Sequence, residues 1–508
     1  MDSPILTSAQ MRTAEKAAFA RGVEVEHLMD QAGAGVARAV RQFFPRPQRC
    51  IVFAGKGHNG GDALVAAEHL KRWGWKIDIR LPFPESDCSE LTRKKLQSLR
   101  EAESGRGLSA ATVGPLPHSR TIVLDGLLGL GTQHLLREPI RRAAREINRL
   151  RAEQNAFVFA VDLPTGLNAD NGELDPDCVI ADFTITIGFA KYGLIVDSTL
   201  DVVGRLEVVP LPDLAPPESA PNEILASAHS LGPLLPRRKF GAYKNQFGRV
   251  GVVAGSKGFV GAALMTTEGA LRSGAGLVEV FVPGEIYSIV ASAAPVEAMV
   301  KSMRSYRKLP DDNIDVWAVG PGLGTAHASN LRRFIKEARK PMVLDADGLN
   351  ILAGKIDILQ KSQGKRLLTP HPGEMERLIH PGKMTRAWIA RNACENLPVT
   401  LLFKGSRTIV CEGNNHPLSY NSTGNPGMAT GGMGDVLTGV CAGLAAQGLS
   451  LYDAARVGAW VCGRAAEMSI FNGNESQESL LPRDVLQNLG PAFNELHHPW
   501  IDVTDSDK

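Results

Sequence analysis

Short apolar runs alternate with helix-periodic stretches along most of this chain, and no other feature of the sequence restricts its fold as tightly. Residues 49–54 form one such run, which ends at Gly55. Residues 60–73 then place apolar side chains at helical spacing, and 76–81 is strand-like again. Further strand-like runs stand at 120–125, 157–162 and 182–188. A strand buried on both faces reads as a continuous apolar run, and strands joined through helices lie parallel. The first half is therefore expected to be α/β, a parallel sheet with helices on both faces. Residues 9–43, ahead of the first run, also carry helical spacing.

The alternation stops at 207–240, where Pro210, Pro212, Pro216, Pro217, Pro221, Pro233 and Pro236 crowd together. Proline fixes φ and has no N–H for a ladder, so this span reads as a linker or a wrapping segment. The alternation resumes at 248–255, with runs at 276–282, 315–319, 341–345, 365–369 and 399–403. A chain of 508 residues exceeds one ordinary core. We expect one domain over 1–215, a linker over 216–227 and a second domain over 228–500, with a frayed tail from Asp502. Residues 436–463 are the most hydrophobic region, but Gly439, Gly443, Gln447, Gly448, Asp453 and Arg456 interrupt them. They read as two buried helices, not as a membrane span. A net charge of +2 argues against a nucleic-acid partner. Seven cysteines without C-x-x-C spacing fit buried thiols in a reducing compartment. With no signal peptide read at the start, a cytoplasmic protein is expected.

The second half holds the most informative motif. Gly424-Asn425-Pro426-Gly427-Met428-Ala429-Thr430-Gly431-Gly432-Met433-Gly434-Asp435 runs into a small apolar stretch that reads as a helix. Glycines there let backbone N–H groups face an anion, and the helix start adds the positive end of its dipole. A carboxylate at that lip suits phosphoryl transfer to a hydroxyl, with Asp435 taking the proton. The plainer reading is a glycine-rich turn with Asp435 as a cap. Three further motifs close predicted strands, where open α/β sheets bind ligands: 319–324 with Gly322, 345–350 with Asp345 and Asn350, and 369–374 with His371. Each alone reads more readily as a structural turn. Lys404-Gly405-Ser406-Arg407-Thr408 is either a phosphate-facing strand end or a hairpin turn with a solvated lysine.

Taken in order, "GAALMTTEGALRSGAGLV", "GPGLG", "DADGLN", "TPHPGE", "KG" and "GNPGMATGGMGDVLTG" resemble the ADP/ATP-dependent NAD(P)HX dehydratase family over about 228–490. The resemblance implies a ribokinase-like, mostly parallel sheet and repair of hydrated NADH or NADPH. A nucleotide phosphorylates the C6 hydroxyl, and loss of phosphate restores the dihydronicotinamide. It implies Asp435 as the base, Gly434 and Lys404, Gly405, Ser406, Arg407 and Thr408 at the adenine nucleotide, and Ala262, Gly322, His371 and Asp435 at the substrate. It also implies that Asp345 and Asn350 support the phosphate or Mg²⁺ region.

In the first half, Ala54-Gly55-Lys56-Gly57-His58-Asn59-Gly60-Gly61-Asp62 joins a strand to a helix. Asp125 and Asp162-Leu163-Pro164-Thr165 close two further strands. In a parallel sheet these ends share one edge, so Asn59, Asp125 and Thr165 can converge. Three oxygen donors with one carboxylate suit a hard, singly charged cation better than zinc. For each aspartate the plainer reading is an N-cap or Asx-turn. "GKGHNGGD", "DGLLGLG" and "DLPTGLNADNG" resemble the NAD(P)HX epimerase family over about 5–215. The resemblance implies a Rossmann-like domain that interconverts the R and S hydrates. It implies potassium on Asn59, Asp125 and Thr165, and substrate on His58, Asn59, Gly60, Gly61 and Asp62. It adds substrate contacts at Gly129, Leu130, Gly131, Thr132, Gln133, His134 and Leu135, with Asp162 as acid/base and substrate contact. His58 replaces the family's usual asparagine, and Leu130 a common threonine.

The fused order fits an epimerase feeding a dehydratase that acts on one epimer, with NADHX and NADPHX as substrates. The fused bacterial type is expected to use ADP and the eukaryotic type ATP. A homo-oligomer is allowed, and no membrane is expected. Two rival readings are kept: a ribokinase-like kinase of a vitamin precursor, and a first half that only binds ligand.

Overall fold

The apolar runs of the first half become the strands of one parallel sheet. The computed structural model describes residues 3–102, 120–131, 135–218, 222–309, 311–413, 415–473 and 475–499. These fall into two compact units, Ser3–Pro221 and Asn222–His498. In the first unit the strands are β1 (Ser3–Leu6), β2 (Arg49–Ala54), β3 (Lys76–Arg80) and β4 (Thr121–Gly126). They continue as β5 (Phe157–Val161), β6 (Phe183–Ile187), β7 (Ala190–Lys191) and β8 (Arg205–Val209). Six of them form an all-parallel sheet in the order β3-β2-β4-β5-β6-β8. Outside it, β1 pairs in parallel with β7, placing Leu6 opposite Lys191.

Alternating side chains send the two faces of this sheet to different helices. Ile51, Val123 and Val158 pack on Ile140, Ile147 and Leu150 of the helix Ile140–Gln154. Phe159 and Phe183 point the other way and stack 4.4 Å apart, against Phe43 of the helix Val25–Phe43. The expected helical span 9–43 is thus two helices, Ser8–Ala20 and Val25–Phe43.

The second unit contains β9 (Glu223–Ala226), β10 (Arg249–Val253), β11 (Leu277–Pro283), β12 (Met299–Met303) and β13 (Val316–Val319). It also contains β14 (Met342–Leu344), β15 (Arg366–Leu368), β16 (Thr400–Phe403), β17 (Ile409–Glu412) and β18 (Leu418–Asn421). Their order is β12-β11-β10-β13-β14-β15-β16-β17-β18-β9, antiparallel only at β16–β17 and β17–β18. The sheet is therefore mostly parallel. Glu223–Ala226 lies inside the expected linker yet is a strand, because Ile224 and Leu225 are buried and the segment pairs with β18. The tail from Asp502 lies outside the described residues.

Residues 436–463 do fall in two buried helices, Met433–Ala446 and Leu451–Phe471. The first crosses the helix Val260–Arg272 at contact distance, and Gly439 and Gly443 permit it. A Cβ on Gly439 would run into the Thr266 carbonyl oxygen, and one on Gly443 into the Ser273 hydroxyl. The second helix carries Arg464, which is 1% exposed and meets Glu495 at 2.9 Å and Glu467 at 3.0 Å. Glu467 also accepts the Gly424 N–H at 2.8 Å, which fixes the entry to the glycine-rich loop. All seven cysteines are buried free thiols. Among the described residues no helix is long and apolar enough to cross a membrane.

The glycine crossing yields a test. Gly439→Val should destabilise the second unit by about 1–3 kcal/mol, the usual cost of overpacking. Thermal unfolding should show the second unit's transition moving down while the first unit's stays in place.

Candidate functional sites

Both sheets reverse direction once, and open α/β sheets bind ligands in the crevice at that point. In the first unit the reversal lies between β2 and β4, where Phe53 pairs with Asp125. In the second it lies between β10 and β13. The sequence motifs close these strands and their neighbours.

In the first unit Asp125 is completely buried. Its Oδ2 accepts the Thr165 N–H at 2.8 Å, and its Oδ1 accepts the Thr165 hydroxyl at 2.7 Å and the Leu127 N–H at 3.3 Å. Burial outweighs these bonds and pushes the carboxyl up to about 6. Leu128 N–H donates to Thr165 Oγ1 at 3.2 Å, and the Asn59 side chain lies against Gly129 in the same loop. The Asn59 amide nitrogen is buried with no hydrogen-bond partner among the described residues. The structure thus brings Asn59, Asp125 and Thr165 around one loop.

Asp162 follows β5 with φ of 68°, a left-handed backbone that costs a non-glycine residue about 1–3 kcal/mol. Its Oδ1 accepts from Ile187 N–H at 3.1 Å, lies 3.3 Å from the Thr186 hydroxyl and receives the Lys191 ammonium. Lys191 is fully buried and spends its other two protons on Thr186 Oγ1 at 3.0 Å and the Ile187 carbonyl at 2.8 Å. Oδ2 of Asp162 makes no hydrogen bond with a described residue. Asp62 faces this pair. Burial, then the charges of Asp162 and Glu15, push its carboxyl well above the usual range, against the pull of Lys191.

His58, Asn59, Gly60, Gly61 and Asp62 open the helix His58–Arg72, with Gly57 as its N-cap. They are its first turn and not a free loop, so the amides of the first turn remain available to an anion. Leu130 receives Arg12 Nη2 on its carbonyl at 3.1 Å, beside Gly129 and Gly131, and Leu135 is exposed. Thr132, Gln133 and His134 lie outside the described residues.

In the second unit Gly322 has φ of 62°, and a Cβ there would lie 3.0 Å from the Ala262 Cβ and 2.9 Å from the Phe259 Cβ. Ala262 and Gly322 therefore touch across the reversal point. Ser256 holds the loop by donating to the Gly322 carbonyl at 2.7 Å. Next along the edge, Asp345 is buried at the end of β14. Its Oδ1 receives Lys404 Nζ at 2.7 Å and its Oδ2 the Thr438 hydroxyl at 2.9 Å. Burial raises this carboxyl, but the Lys404 ammonium and bonds from Thr369 and Thr438 prevail and hold it below the usual range.

Lys404 is held, not solvated: it also lies 3.7 Å from Glu374 Oε2. Burial works against its ammonium, but Asp345, Glu374 and Asp435 raise its pKa. Gly434 backs onto this pair, since a Cβ there would sit 3.1 Å from Asp345 Oδ2 and 3.2 Å from Lys404 Nζ. One residue on, Asp435 stands in the first turn of Met433–Ala446. Burial and the Asp345 charge push its carboxyl up to about 7, while Lys404 pulls the other way.

The remaining candidates ring this cluster. His371 caps the helix Pro372–Ile379, its Nδ1 accepting the Gly373 N–H at 3.0 Å, and half of its side chain is exposed. Residues 404–408 form the β16–β17 hairpin turn. Gly405 lies under the Arg386 guanidinium, Ser406 is exposed, Arg407 is buried, and Thr408 Oγ1 donates to the Gly405 carbonyl at 3.1 Å. Asn350 bridges Asp347 and Arg377 at 3.1 and 3.0 Å. Sequence reasoning missed Lys191, Thr438, Thr369 and Glu374. The last three sit inside motifs that had been singled out, and Thr438 falls one helical turn after Asp435.

Removing one member of a buried ion pair leaves an uncompensated charge, which costs about 3–5 kcal/mol. Lys191→Met should lower the first unit's unfolding midpoint accordingly. Asp162→Asn combined with Lys191→Met should recover part of that loss in the same calorimetric trace.

Two family models match the chain: "YjeF-related protein N-terminus" over 25–193 and "NAD(P)H-hydrate dehydratase" over 250–488. A bifunctional NAD(P)H-hydrate repair enzyme of Moorella thermoacetica is 33% identical, over 92% of this chain and 92% of its own. The Escherichia coli enzyme of the same name is 34% identical, over 95% of this chain and 92% of its own. A solved ADP/ATP-dependent NAD(P)H-hydrate dehydratase from Bacillus subtilis is 25% identical, covers 55% of this chain and all of its own, and has a TM-score of 0.47. The relatives support the two-activity reading and not the small-molecule kinase. With near-complete coverage in both directions, the chain belongs to the bifunctional NAD(P)H-hydrate repair enzyme family.

Proposed function

We propose that the two units act in turn on hydrated NADH and NADPH. The first interconverts the R and S hydrates, and the second dehydrates the S form at the expense of ADP or ATP. The observation that carries this reading is Asp435: a carboxyl pushed up to about 7, at a helix start, beside the Lys404–Asp345 pair. A general base works best when its pKa lies near the operating pH. Asp435 takes the proton of the C6 hydroxyl as that oxygen attacks the terminal phosphoryl group. The first-turn amides around Gly434 receive the phosphoryl oxygens. Phosphate then departs from C6, a far better leaving group than hydroxide, and loss of a proton from C5 to solvent forms the C5–C6 double bond of the dihydronicotinamide. Ala262, Gly322 and His371 line the substrate side, and the 404–408 turn the nucleotide side.

Both Asp345 oxygens already accept, from Lys404 and Thr438, and the Lys404 ammonium 2.7 Å away would repel a second cation there. Mg²⁺ fits better on the nucleotide's own phosphates, where it neutralises charge on the transferred group. In the first unit the oxygens of Asn59, Asp125 and Thr165, with one carboxylate, fit potassium. The unpartnered Asn59 amide is the buried polar group that such an ion would satisfy, once turned to present its oxygen. Potassium there supplies a fixed positive charge beside the hydrate. Asp162, with Oδ1 locked and Oδ2 open, is the acid/base group that faces substrate.

Three measurements test this. Absorbance of the reduced nicotinamide should recover completely from a mixed R/S hydrate of NADH with Mg²⁺, K⁺ and ADP or ATP. Recovery that stops at the S fraction would remove the epimerase, and no recovery would remove the dehydratase. Asp435→Asn should lower dehydration by about 10²–10⁴-fold and leave epimer exchange intact. In the unmodified chain kcat/KM for dehydration should rise with pH through about 7, since the base acts ionised. Lys404→Met removes the cation that lowers Asp435, so any residual activity should show that limb moved upward.

The cation site has its own signature. The fold favours neutral Asp125, whose carboxyl rises from 3.8 to about 6. Without potassium the first unit should lose stability as pH rises between those values and stay lower above them. Potassium favours the ionised form, so its stabilising effect on the melting temperature should be larger at pH 8 than at pH 5.

A further inference from the structure

The helix Ser8–Ala20 forms one wall of the first unit's site. It starts at a capping box between Thr7 and Gln10 and follows directly on β1, which pairs with the strand that carries Lys191. Three contacts fix it there. Ser8 N–H donates to Asp170 Oδ1 at 2.6 Å. Met11 is buried and fills the space over Gly188, where a Cβ would meet its Cε at 3.1 Å. Arg12 Nη2 donates to the Leu130 carbonyl at 3.1 Å. Glu15 lies one turn further on, half-buried, and its carboxyl makes no hydrogen bond with a described residue. The charged groups that bear on it are Lys191 on β7, Asp162 after β5, His58 at the start of the helix His58–Arg72, and Arg12 on its own helix. Glu15 and Asp162 also both bear on Asp62.

These two carboxyl groups are placed oppositely. Asp162 has one oxygen fixed by the Lys191 ammonium and the Ile187 N–H. Glu15 has no such donors, and burial, with the nearby Asp162 charge, raises its pKa against the pull of Lys191, His58 and Arg12. Pairs of carboxyls whose surroundings push them apart divide acid from base.

We propose that Glu15 is the proton donor of the epimerase site, working opposite the Lys191-bound Asp162. The proposal rests on reading the first unit as an epimerase of the C6 hydrate. Glu15 gives its proton to the C6 hydroxyl, the C6–O bond breaks with its electron pair on oxygen, and water leaves. The lone pair of the ring nitrogen forms a C6–N double bond, and the Asp162 carboxylate faces the resulting cation. Water adds to the other face of C6 and gives a proton to Asp162, and exchange with solvent returns Glu15 and Asp162 to their starting forms. Nothing is oxidised or reduced, and the net change is inversion at C6.

The test uses the full chain with potassium and no nucleotide, following the R and S hydrates of NADH by chromatography against pH, with the uncatalysed rate subtracted. The proton-bearing form of Glu15 is the active one, so the rate should fall on the alkaline side. Glu15→Gln should lower exchange about 100-fold and abolish that alkaline limb, and Glu15→Asp should restore part of the rate with the limb present. Asp62→Asn should keep the limb. A folded Glu15→Gln chain with unchanged rate and limb overturns the proposal and leaves the epimerase reading standing. No exchange by the unmodified chain overturns that reading as well. If Glu15→Gln fails to fold, the unmodified chain in ¹⁸O water decides: each inversion should carry label into the C6 hydroxyl, and inversion without label overturns the route.

Discussion

A carboxylate taken out of water must be met by a cation and by hydrogen-bond donors, or it takes up a proton instead. At each candidate site one carboxylate is bound by an ammonium, and others beside it are not. Asp162 has Lys191, and Asp345 has Lys404, each pair sealed by a threonine hydroxyl. Around these fixed charges stand carboxyls with too few partners: Asp62 and Glu15 in the first unit, Asp435 in the second. The proposed chemistry depends on that inequality. A site in which every carboxyl was paired would hold its charges but could not move a proton.

The fold contributes by geometry rather than by specific contact. A parallel sheet brings all its strand ends to one edge, so residues far apart in the chain arrive together. Asn59, Asp125 and Thr165 reach one loop in this way, and so do Gly322, Asp345 and Lys404 in the second sheet. The close helix crossing at Gly439 and the Glu467–Gly424 bond then hold the helix that bears Asp435 and the loop that precedes it.

This explains what was legible in the sequence. Strands buried on both faces announce themselves, and their last residues are then the candidates; Asp125, Asp162, Asp345 and Lys404 were found that way. β12 was missed because Lys301 and Ser302 break its apolar run, and β9 because prolines surround its four residues. Lys191 left no local trace, since its meaning comes from Asp162, 29 positions away. Glu15 belongs to an ordinary amphipathic helix and stands out only once that helix is seen against β7. The hairpin at 404–408 was correctly weighed as a turn, but its lysine is not solvated, because two carboxylates from other strand ends draw it inward.

The buried cysteines bear on how this molecule can be watched. Cys50, Cys88 and Cys178 belong to the first unit, and Cys394, Cys411, Cys441 and Cys462 to the second. All are buried in the folded state, so a thiol reagent reaches them mainly when the surrounding segment opens. Alkylation followed by peptide mapping therefore reports opening segment by segment in the native chain. The two units come with separate clocks already built in, and neither requires a label.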